Sequence, residues 1–147
     1  MTLKTITHRD AAVAIWSGVP TLADCDESMR VAQACYAHAG APVALFVVLT
    51  PDVAMPSASV WRRMQSSWPE LAPLASTIQY VVLRDGGESP VISMLLRVLQ
   101  LALTGQKIGV HDTVESSLRE AWRVAAYEDR GGVLERLIEA AIQPVPK

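Results

Sequence analysis

Four short apolar runs, at 13–16, 43–49, 78–83 and 108–110, are each followed by a segment of helix length carrying one apolar face. The helical segments read at 22–39, 57–68, 90–104 and 114–126. A chain alternating in this way has few options. Its helices must cover a sheet, and a strand reached through a helix lies parallel to the strand before it. Val43, Ala44, Leu45, Phe46, Val47, Val48 and Leu49 form an unbroken apolar run, the pattern of a central strand covered on both faces. Upstream, residues 4–8 alternate weakly and Arg9-Asp10 supplies a turn, which makes the first run the second arm of a hairpin. The expectation is an α/β domain with a mixed, mostly parallel sheet of four to five strands. About four helices cover it, and a further C-terminal helix is added, with Val133, Leu134, Leu137, Ile138, Ala141 and Ile142 on its apolar side.

Helix boundaries are marked by their own chemistry. Thr21 or Asp24 can cap the first helix, and Gly40 closes it ahead of Pro42. Pro56 and Ser57 open the second, which Pro69 and Pro73 are expected to break. Ser89 as cap and Pro90 as first helical residue launch the third after the loop Arg84-Asp85-Gly86-Gly87, and Asp112 or Thr113 caps the fourth. The loop has neither the GxGxxG nor the Walker lysine pattern, so it reads as an ordinary connection.

With 147 residues the chain suffices for one domain with a sizeable core. We divide it into a main domain at 1–126, an added helix at 127–143 that packs on that domain or on a partner, and a tail at 144–147. Charged residues make up only 19%, against about 25% in ordinary soluble domains. The imbalance concentrates at 90–104, where Ser93, Arg97, Gln100 and Thr104 form one narrow polar stripe. Three explanations cover such a helix: burial under other helices of the same chain, self-association, or a cavity for an apolar ligand. The candidate contact residues are Val91, Leu95, Val98, Leu99 and Ala102, or Val133, Leu137, Ile138 and Ala141.

The net charge of −2, with Arg62–Arg63 the only adjacent basic pair, gives no stripe for a phosphate backbone. Residues 1–9 lack the apolar centre of a signal peptide, and 90–103 is too short and too polar for a bilayer span. A cytoplasmic location is expected. Cys25 and Cys35 lie ten apart on one predicted helix, about 15 Å along its axis, beyond the roughly 7 Å limit for a disulfide. His8, His38 and His111 show no ligand spacing beyond Cys35 with His38, so no metal or other cofactor is expected. No GxSxG elbow occurs and neither thiol stands at a strand-to-helix turn, so the chain reads as non-catalytic.

Two stretches resemble the STAS family, whose members include the SpoIIAA-like anti-sigma-factor antagonists. One runs from Tyr80-Val81-Val82-Leu83-Arg84 through the Gly/Ser loop and the apolar helix 91–103 to the strand 107–111. The other is 113–122, with the sequence Glu120-Ala121-Trp122. The likeness covers about residues 3–125, and within the family it is similar to stand-alone proteins grouped with lipid-binding CRAL-TRIO lobes. It implies a protein-interaction or regulatory module with a protein partner, expected to be a homodimer. A carrier or sensor of a small apolar, lipid-like ligand in a cavity beside the third helix is the alternative it suggests. The resemblance also aligns Ser57 with the serine that accepts phosphate in anti-sigma-factor antagonists, although Pro56 and Ser59 stand where that signature has Asp and Gly. The residues themselves read Ser57 as a helix cap.

Overall fold

The computed structural model describes residues 2–83 and 108–142. A hairpin, β1 (Leu3–His8) and β2 (Ala11–Trp16), leads into helix α1 (Leu22–Ala39), strand β3 (Val43–Leu49), helix α2 (Ala58–Leu71) and strand β4 (Ala75–Val82). Strand β5 (Ile108–His111) is followed by α3 (Val114–Ala125) and α4 (Val133–Ile142). Among the described residues the sheet has five strands in the order β1-β2-β3-β4-β5. Only β1 runs antiparallel to its neighbour, in the register Leu3 opposite Trp16 and His8 opposite Ala11. The pairs β2–β3, β3–β4 and β4–β5 are parallel. The mixed, mostly parallel α/β sheet expected from the sequence is the sheet observed.

Because side chains alternate across a strand, β3 supplies two cores. Ala44, Phe46 and Val48 face α3 and α4, where they meet Val13, Ile15, Val81, Ala121, Leu134 and Ile138. Val43 and Leu45 face α1 and α2, where they meet Val31, Ala32, Cys35 and Trp68. Tyr127, just after α3, sets its ring edge-on to Phe46 with centroids 5.7 Å apart. Helix α4 lies across β1 and α3: Leu134 and Ile138 are fully buried, and Lys4 Nζ donates to the Ala141 carbonyl at 2.9 Å. Burying side chains of that size stabilises by roughly 1.5–3 kcal/mol each, enough to hold a ten-residue helix on its own sheet.

The caps follow the sequence. Thr21 and Asp24 form a reciprocal capping box on α1, and Gly40 ends that helix at φ +70°, a left-handed conformation natural to glycine. Thr113 accepts from Ser116 N at 3.1 Å to start α3. The carboxylate of Asp129 accepts from Leu134 N and Glu135 N at 2.8 and 3.0 Å and so does the same for α4. One expectation is corrected. Pro69 does not break the second helix, which runs on to Leu71 before a 3-10 turn at Ala72–Leu74. Proline here lies in the last turn, and both it and Gln65, whose carbonyl loses its partner, are exposed to water. The predicted helix at 90–104 and its loop lie outside the described residues.

Candidate functional site

The C-terminal ends of the parallel strands β2 and β3 bring two loops together, 17–21 and 50–57. They are laced by backbone hydrogen bonds: Thr50 N donates to the Trp16 carbonyl at 3.0 Å and Ala54 N to the Gly18 carbonyl at 2.8 Å. The Thr50 hydroxyl lies within hydrogen-bond distance of both the Trp16 carbonyl and the Asp52 carboxylate. Gly18 sits at φ +62°, and a Cβ there would meet Thr2 Cγ2 at 3.3 Å, so the first loop turns where a larger residue would be strained. The Thr2 hydroxyl in turn donates to the Asp24 carboxylate of the α1 cap. Two loops on a rigid sheet, each running into a helix N-terminus, make a well-defined platform.

That platform is unusually greasy. Val19 is 53% exposed, Leu22 48% and Met55 44%, and all three lie on these loops or at the first residue of α1. Ser57 stands beside them as the N-cap of α2. Its hydroxyl accepts from Val60 N at 3.4 Å and lies 3.2 Å from the Ser59 hydroxyl. No acidic residue occupies the first turn of α2. Beneath the platform, between the sheet and helices α1 and α2, lies an apolar cavity of about 110 Å³. Pro20, Val53, Ala54 and Pro56 of the two loops contribute to its wall. Cys25 also lines it, and burial pushes its thiol above the usual value, as it does for Cys35.

The residues singled out from the sequence do not form one site. Ser57 belongs to the face covered by α1 and α2, whereas Val133, Leu137, Ile138 and Ala141 belong to α4 on the opposite face. Among these four, Ile138 is fully buried in the chain's own core, Ala141 is half-buried against it, and Leu137 is 41% exposed. The core therefore holds Ile138 away from any partner surface. Val91, Leu95, Val98, Leu99 and Ala102 lie outside the described residues. Among the described residues no three His, Cys, Asp or Glu side chains gather into a metal-sized group.

One constellation has no counterpart in the sequence reading. Gln79, fully buried, donates from Nε2 to Thr77 Oγ1 at 2.8 Å. Its Oε1 faces His111 Nε2 at 2.7 Å, and His111 Nδ1 faces the Ser116 hydroxyl at 2.7 Å. An amide oxygen only accepts, so the neutral imidazole carries its proton on Nε2 and accepts from Ser116 at Nδ1. Burial lowers the His111 pKa, against smaller opposing pulls from Glu120 and Asp112. Hydroxyl, base and orienting group stand in the order used for nucleophile activation. This hydrogen-bond series lies on the face of the sheet opposite the cavity, and in the fold it satisfies the buried Gln79 amide. Its sequence signal is a lone Gln79 within an apolar strand.

Two solved structures superpose on this architecture. An uncharacterised DUF3478-family protein with a SpoIIAA-like fold from Shewanella loihica PV-4 matches with a TM-score of 0.56 at 9% identity, over 80% of this chain and 90% of that one. An anti-sigma factor antagonist from Mycobacterium paratuberculosis matches with a TM-score of 0.50 at 16% identity, over 80% and 91%. The chain has a STAS-like, SpoIIAA-like fold. No protein-family model and no curated protein matches the sequence. At these identities the likeness is one of fold, and the resemblance seen in the sequence stands at that level. Among the described residues no helix is long and apolar enough to cross a membrane.

Proposed function

We propose that this chain is a non-catalytic regulatory module that binds a protein partner through the loop platform around Ser57. The observation carrying this reading is the exposure of Val19, Leu22 and Met55 together on two loops held rigid by hydrogen bonds. Isolated exposed apolar residues are ordinary, but a contiguous apolar patch marks a contact surface. Pre-ordered loops lower the entropic cost of docking. The fold shared with an anti-sigma factor antagonist supports a regulatory role. In this reading the protein works in the cytoplasm, where its two free thiols stay reduced. Ser57 acts as a helix cap within the contact surface. Self-association through the apolar side of 90–104 belongs to the same reading.

The test compares the wild type with Val19→Asp and Met55→Asp, each with an affinity tag, by quantitative mass spectrometry of co-purified proteins. An exposed-residue control, Trp122→Ala, lies on α3 at the opposite face. A partner lost from both loop variants and retained by the control supports the platform. Identical partners in all four samples overturn it. Light scattering of the wild type across a concentration series checks self-association, and a constant monomer mass refutes that part.

A further inference from the structure

The cavity beneath the platform has a built polar handle. Tyr80, in the middle of β4, is 5% exposed and lines it. Its phenol makes no hydrogen bond to any described residue, while no fully sealed side-chain polar atom there lacks a partner. The phenolic oxygen is thus one that the cavity's open space reaches. Burial pushes this phenol above its usual pKa, so it stands as a neutral donor. Three other hydroxyl residues line the space, Thr5 of β1 with Ser28 and Ser67, and the two serines donate into their own helices: Ser28 to the Cys25 carbonyl at 3.0 Å and Ser67 to the Met64 carbonyl at 2.7 Å. Their lone pairs remain as acceptors.

The rest of the lining defines what fits. Among the described residues no charged side chain contributes to it, and an ion transferred into such surroundings loses its hydration without compensation. The space exists because Ala12 and Ala14 of β2 and Ala32 of α1 meet where larger side chains would fill the layer between sheet and helix. An apolar cavity of about 150 Å³ stays dry and accepts benzene. The 110 Å³ here suits roughly four or five heavy atoms on the same scale, well short of the about 300 Å³ at which drug-sized pockets begin.

We propose that this cavity is a binding site for a small, uncharged, mostly apolar molecule carrying one oxygen, to which the Tyr80 phenol donates a hydrogen bond. An acyl chain of lipid length is too large for it. The site shares Pro20, Val53, Ala54 and Pro56 with the loops of the docking surface proposed above, but its occupancy is measured without a partner, so the two readings fail separately.

Tetrahydrofuran and cyclopentane are matched probes of five heavy atoms, alike in shape and differing in an ether oxygen for a methylene. Titration of the full chain followed by 1H–15N spectra should give saturable shifts for both, centred on Ala32, Val47 and Tyr80. Tyr80→Phe should lower the ratio of tetrahydrofuran to cyclopentane affinity about three- to tenfold, the effect of one neutral hydrogen bond. Ala32→Leu, which favours the helix and fills the space, should abolish binding of both probes while the spectrum stays folded. Ala14→Val is a second filled variant should Ala32→Leu unfold. Absence of saturable binding in the wild type, or unchanged binding in a folded filled variant, overturns the site. An unchanged tetrahydrofuran to cyclopentane ratio in Tyr80→Phe overturns the role given to Tyr80.

Discussion

Replacing Gly109 by alanine tests the buried polar chain at its tightest point. Gly109 lies opposite Gln79 in the β4–β5 register. A Cβ added there would come within 2.1 Å of Gln79 Oε1 and 2.6 Å of His111 Nε2. The first distance is below any real contact, so the Gln79 side chain or β5 must move and the 2.7 Å bond between Gln79 and His111 is lost. Gln79 is fully buried, so its carbonyl oxygen is left unsatisfied, at about 1–3 kcal/mol. Forcing extra volume into a packed site adds about 1–3 kcal/mol. Urea unfolding should therefore show Gly109→Ala destabilised by roughly 2–6 kcal/mol, a large share of a typical domain's roughly 5–15 kcal/mol. The double variant Gln79→Ala/Gly109→Ala removes the obstructing oxygen together with its need for a partner. Its cost should fall short of the sum of the single variants by at least about 1 kcal/mol. A cost below about 0.5 kcal/mol for Gly109→Ala, or strict additivity, refutes the reasoning.

Other expectations follow from the same geometry. His111 is held below the usual histidine pKa by burial, so the unfolded chain binds its proton more readily. The associated stability is full above about pH 6.5 and is lost as pH falls through the lower folded value. The urea midpoint should drop over that window in the wild type and drop less in His111→Gln, and equal slopes would contradict the assignment. Thr21→Ala removes the capping box of α1 and should cost about 1 kcal/mol by the same measurement; an unchanged midpoint would show the cap to be idle. Ile138→Ala should cost about 2–5 kcal/mol and Leu137→Ala under about 1 kcal/mol, because only the first side chain is fully buried. The reverse ranking would show that α4 packs elsewhere.

How much of this was legible beforehand depended on period and punctuation. The strand at 43–49 and the stop at Gly40 follow from local chemistry and are found in place, while the caps were legible only as pairs, Thr21 or Asp24 and Asp112 or Thr113, of which the structure uses Thr21 and Thr113 as N-caps. Pro69 misled because the cost of proline depends on where in a helix it falls and on whether the orphaned carbonyl meets water, which one sequence position does not reveal. Helix α4 was readable as amphipathic, but what covers its apolar side is a matter of topology. The polar chain needed the register that sets Gly109 and His111 against Gln79. The cavity is harder still to foresee, since it arises where three alanines from β2 and α1 coincide in space with no pattern along the chain.

The two faces of the sheet are completed at different moments of synthesis. Helices α1 and α2 emerge from the ribosome interleaved with the strands they cover, so their face can close as it is made. Among the described residues, Val13, Phe46, Val48 and Val81 on the opposite face are roofed by residues 114–142. Until those last helices appear, a nascent chain has α1 and α2 in place on one side and lacks the cover that α3 and α4 give to the other. Its hazard during translation is therefore one-sided, and a holding chaperone would find its grip there.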